Sequence, residues 1–176
     1  MANVIHGVVR TDNMAGTDVR EALVSVQYLG ADGATPTDID NGNVLKAVTL
    51  RGDANRGYDR EVYVGAVPAA NDELKDVVLI ASPEVMYDER IRGLANFYNE
   101  AGKICRGYRF HQGGIFSVTK AALDGVATPA IGNVVELKAG TKMNVAAAAT
   151  AGSTKVGEII AIDVVGQHTY YVIKIG

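Results

Sequence analysis

Nothing constrains this chain more than the stretch from Ala101 to Thr119, AGKICRGYRFHQGGIFSVT. Arg106, Tyr108 and Phe110 alternate with Gly107, Arg109 and His111, the period of two that a half-buried strand requires. Gly113-Gly114 can take up the positive φ angles of a tight turn, and Ile115, Ser117 and Thr119 then alternate with Phe116 and Val118. The stretch predicts a β-hairpin, and it opens a C-terminal third built almost wholly of short strands.

The same reading extends in both directions. Residues 1–20 mix short apolar pairs with Gly and polar residues and read as an extended arm. Strands are predicted over Ala22–Leu29, Val44–Leu50 and Glu61–Val67, separated by polar, Gly- and Asp-rich loops. The continuous run Val77, Val78, Leu79, Ile80 reads as a strand buried on both faces. One helix is predicted, from Ser82 to Ala101: Ser82 can cap, Pro83 suits the first turn, Gly102 can close the end, and Tyr87, Ile91, Leu94, Ala95 and Tyr98 share a face. Beyond Thr119, Lys120–Gly125 reads as a helical turn. Val134–Leu137, Lys142–Ala148, the long run VGEIIAIDVVG and Thr169–Ile175 read as strands. The expected fold is mainly β (α+β): an arm over 1–20, a smaller α+β region over 21–100, and a small antiparallel β-barrel over 101–176.

Several function classes are disfavoured. The 176 residues carry a net charge of −3 with no basic cluster, which argues against a nucleic-acid partner. No apolar run of eighteen residues suits a membrane span, and MANVIHGVVR lacks the apolar core of a signal peptide, so cytoplasmic synthesis is expected. One Cys and three His make a zinc site unexpected, and no cofactor motif occurs. Cys105 and His111 share a face of one predicted strand but stand about 20 Å apart by strand rise, too far to act as nucleophile and base. Asp38-Ile39-Asp40-Asn41-Gly42 brushes against a calcium loop. Its glycine falls at position five and Thr49 at position twelve, where an EF-hand needs glycine at six and Glu at twelve, so a polar turn is the better reading. No catalytic motif is present, and an enzyme is not expected.

From Ala101 onward, AGKICRGYRFHQGGIFSVT followed by GNVVELKAGTKMNV, GSTKVGEIIAI and YYVIKI resembles the C-terminal barrel of head decoration (cement) proteins of tailed bacteriophages, which are encoded beside the major capsid protein. The resemblance implies a virion protein of the outer capsid surface that binds the major capsid protein and itself, as a homotrimer, and stabilises the shell. It brings no catalytic, metal or cofactor residues. The arm is the candidate capsid contact, through Val4, Ile5, Val8 and Val9, because an extended segment can add a strand to a neighbouring sheet. A tail-tube or head–tail connector subunit is the alternative within a virion. A small carbohydrate-binding module or hydrolase is the alternative of another class, disfavoured by the absence of Trp and of a recognisable carboxylate pair.

Overall fold

The computed structural model describes residues 5–10, 14, 22–52, 61–86 and 93–176. The fold is mainly β: two curled sheets, each forming a half-barrel. The first sheet contains β1 (Leu23–Tyr28), β2 (Val44–Lys46), β3 (Val62–Gly65), β4 (Val77–Ile80) and β5 (Ile104–Arg109), in the order β2-β4-β5-β1-β3. The second contains β6 (Ile115–Thr119), β7 (Leu123–Gly125), β8 (Val134–Glu136), β9 (Met143–Ala146), β10 (Lys155–Val165) and β11 (His168–Ile175), in the order β6-β11-β10-β8-β9-β7. Pairing is antiparallel except for β1 with β3 and β7 with β9. β6 and β7 are the outer strands of the second sheet, yet a three-residue 3₁₀ turn, Lys120–Ala122, joins them directly. At about 2 Å of rise per residue that turn holds the two edges close together, which is what curls the sheet.

β4 shows why the apolar run was readable. Its side chains are all buried and alternate between two cores. Val77 and Leu79 face the core shared with the second sheet, and Val78 and Ile80 face the smaller core inside the first. The shared core takes Val44, Tyr108 and Phe110 from one side and Phe116, Val135, Met143, Ile159 and Ile173 from the other.

The expected hairpin does not form. β5 lies between β1 and β4, so both its edges are taken, and β6 pairs with β11. The link from Phe110 to Gly114 instead carries the chain from one sheet to the other. Only Gly113 of the glycine pair has a positive φ (80°). Its N–H bonds the carbonyl of Ile175 at 3.0 Å, and the Ile175 N–H bonds that of Gly114 at 2.8 Å, so the turn is tied to the end of β11. Phe110 and Phe116, with ring centroids 5.7 Å apart, bury the corner. The change of sheet therefore falls within residues 110–114 and not near residue 100.

The predicted helix is also overturned where its residues are described. Ser82–Met86 is not helical, Leu94–Asn96 forms a single 3₁₀ turn, and Gly93 is extended (φ −116°). Tyr87 to Arg92 lie outside the described residues. Ser82 is not a cap: its N–H and C=O are both held by the side chain of Asn41 at 2.9 Å, and its hydroxyl accepts the Arg106 N–H at 3.0 Å. These bonds hold Ser82 beside Asn41 and Arg106, two residues past the end of β4, and override the local helix signal.

Candidate functional site

Residues 5–10 do not hang free. The Thr119 N–H bonds the carbonyl of Val8 at 3.0 Å, the Val8 N–H bonds Thr119 Oγ1 at 3.1 Å, and the Arg10 N–H bonds the carbonyl of Ser117 at 3.0 Å. Val9 forms an antiparallel bridge with Val118. The segment thus covers the edge of β6 that β11 leaves open, and Val8 and Val9 are each only 2% exposed. This corrects their place as contact residues, because their side chains serve the chain's own core. Ile5, at 71% exposure, is the candidate that faces outward; Val4 lies outside the described residues.

What fixes the segment is the loop that brushed against a calcium motif. Asp40 receives His6 Nδ1 at 2.6 Å on one oxygen and the Gly7 N–H at 3.3 Å on the other. The His6 N–H bonds the carbonyl of Ala95 at 2.9 Å, and its ring stacks on Tyr98 at 4.9 Å. Gly7 passes so close that a Cβ there would sit 2.5 Å from the carbonyl oxygen of Asn41, so no larger residue fits without movement. The other polar side chains of the loop are equally committed. Asp38 accepts the Ala101 N–H at 2.7 Å, and Asn41 Oδ1 accepts both the Ser82 N–H and Asn99 Nδ2, the latter at 3.1 Å. These oxygens are spent on protein N–H groups. No three His, Cys, Asp or Glu side chains gather into a metal-ligating group among the described residues.

The arrangement leaves large apolar side chains exposed around the His6 anchor. Ile5 adjoins His6, which is joined to Ala95 and Tyr98, and Ile5, Leu94 and Tyr98 are all exposed. Sequence reasoning found Ile5 but placed Leu94 and Tyr98 on one face of a helix. Cys105 is buried in the smaller core, where burial pushes its thiol up to about 11, and His111 sits exposed beyond the end of β5. The structure does not bring the two together as a reactive pair, and a thiol so rarely ionised is inert. A second apolar surface, on the outer half of the β10–β11 hairpin, escaped the sequence reading. Its signal was length: the β10 run is eleven residues long, whereas its neighbour β8 has three.

No protein-family model, curated protein or solved structure matches this chain.

Proposed function

We propose that this protein is a structural component of a phage virion that binds the outer surface of the capsid and stabilises it, with the patch around Ile5 as its contact with the major capsid protein. One observation carries the reading: a large aliphatic side chain is held outward at 71% exposure on a segment anchored by buried Val8 and Val9 and by hydrogen bonds to Asp40. An exposed apolar residue on an ordered support suits protein–protein contact, since little conformational entropy is lost on binding. The β framework and the resemblance of residues 101–176 to decoration proteins support the same reading. Copies repeat on the lattice, and weak contacts add through avidity.

The experiment compares bare and decorated capsids under heat or chelator challenge, with Ile5→Asp beside the parent protein. A ligand that binds the shell and not its dissociated subunits stabilises the shell by mass action. Longer survival of decorated capsids, lost with Ile5→Asp, supports the reading. Equal survival of bare and decorated capsids removes the stabilising role. Full binding by Ile5→Asp moves the contact elsewhere.

A further inference from the structure

β10 outruns its sheet. β8 pairs with it at Lys155, Gly157 and Glu158, and the last bonds on that side join Ile159 to Gly132 and Asn133. The β10–β11 ladder then shifts register between Ile159 and Ala161, a bulge at Ile160, and continues to Val165 opposite His168. The two strands thus project as a ribbon closed by Gly166-Gln167, with Gly166 at φ 61°. The pair flanking a two-residue loop exchanges hydrogen bonds, and the exchange then alternates along the ladder. Val165, Asp163 and Ala161 therefore bond to β11, and the N–H and C=O groups of Ile162 and Val164 point to the other edge. Among the described residues nothing pairs with them there.

That edge is also apolar. Ile162 stands opposite Tyr171, a member of the shared core, so Ile162 and Val164 continue the core-facing side of the sheet past the point where β8 stops. Ile160, Ile162, Val164 and Val165 are 42%, 38%, 73% and 48% exposed. Natural edges are blunted by Lys, Pro or inward-pointing charge. From Ile160 to Val165 there is no Lys, Arg or Pro, and the single charge is Asp163.

We propose that this edge pairs antiparallel with the same edge of a second copy, across a two-fold axis through Ile162. The sequence IIAIDVV selects that partner and that register. Centred on Ile162, the pairing sets Ile162 against its own copy, Val164 against Ile160 of the second chain, and Asp163 against Ala161. Ile162 and Val164 of both copies then lie on the core-facing side, with Ile160 turned to the other face by the bulge, and the two carboxylates avoid each other. Centred on Asp163, it sets carboxylate directly opposite carboxylate, which is destabilising. Centred on Val164, it sets Ile162 against Gly166 and loses most of the apolar contact. The contact is isologous and closes as a dimer. A standard stable interface covers about 800 Å² on each partner. One short strand edge with four partly exposed aliphatic residues supplies less than that, so the pairing is weak in dilute solution and strengthens with concentration. It does not depend on the capsid reading and is tested without a capsid.

The first test is disulfide trapping in the full chain. Facing residues of a hydrogen-bonded antiparallel pair have Cα atoms about 5.5 Å apart, within disulfide range. Ile162→Cys is expected to give a covalent dimer under mild oxidation and Val165→Cys is not, with the buried Cys105 silent in both. Equal yields at the two positions, or none at Ile162→Cys, overturn the proposal. The second test is sedimentation over a concentration series. The mean mass of the parent protein is expected to rise toward that of two chains, and Ile162→Lys, at an already half-exposed position, to weaken association by about tenfold or more, roughly 1.4 kcal/mol. A concentration series unchanged by Ile162→Lys overturns it.

Discussion

Glu136 is the one charged side chain buried among the described residues. Burial alone would raise its pKa, but hydrogen bonds from Thr150 and from Asn144 Nδ2 at 2.8 Å outweigh that and hold the carboxyl below its ordinary 4.5. The folded state therefore binds this proton less readily than the unfolded chain. The stability Glu136 contributes is complete above about pH 4.5 and is lost as pH falls through the lower folded value. Glu136→Gln keeps the shape but presents an amide N–H₂ to one of two donors, leaving a buried pair of donors face to face. The expected cost at pH 7 is about 1–3 kcal/mol in urea denaturation, with the gap from the parent narrowing in acid. A gap independent of pH would mean that the charge is not what the site uses. Asn41 predicts a related effect without a charge. Asn41→Ala strips the Ser82 backbone and Asn99 of buried partners, and about 2–4 kcal/mol of stability should go with them, read from the denaturation midpoint.

At the scale of elements, residues 5–10 behave as an edge strand of the second half-barrel. Deleting residues 2–13 removes Val8 and Val9 from the interior, at about 1.5–3 kcal/mol for each side chain, and uncovers the edge of β6. The expected result is a large drop in the urea midpoint. An unchanged midpoint would show that the pairing with β6 contributes nothing. What was legible in the sequence at this scale is what local pattern controls. The alternation around Tyr108 and Phe116 gave strands, the run Val77–Ile80 gave a strand buried on both faces, and the long run VGEIIAIDVVG and Thr169–Ile175 gave β10 and β11. Partnership was not legible, because it is settled by distant groups. The bonds that hold Ser82 come from Asn41, 41 positions earlier, and no local propensity registers them. β5 and β6 alternate as hairpin strands should, yet strands already placed on both sides of β5 leave β6 no edge to join. Of the candidate contact residues, the apolar character of Val8, Val9 and Ile5 was plain. Whether each faced in or out depended on the pairing with Ser117 and Thr119.

For the whole molecule, the decisive fact is that the larger core belongs to both sheets. Val77, Leu79, Tyr108 and Phe110 of the first half pack in the same cluster as Phe116, Val118, Ile159 and Ile173 of the second. Neither half-barrel can bury its face without the other, so the chain should unfold as one unit although its strands divide cleanly into two sheets. Phe116→Ala tests this, since Phe116 is almost wholly buried at the corner between the sheets. Truncating a buried Phe typically costs about 3–5 kcal/mol, for the lost transfer energy and the cavity together. If the core is common, that loss appears equally in the backbone amides of β4 in the first sheet and of β11 in the second, measured as the fall in hydrogen-exchange protection. Calorimetry should show a single transition whose measured and van't Hoff enthalpies agree, in the parent and in Phe116→Ala alike. Loss of protection in β11 with β4 unaffected, or a melt that splits in two, would mean that the half-barrels are separate folding units. A protein proposed to brace a capsid would gain from the first outcome, because force applied at the Ile5 patch, anchored to β6, would then be borne by both sheets at once.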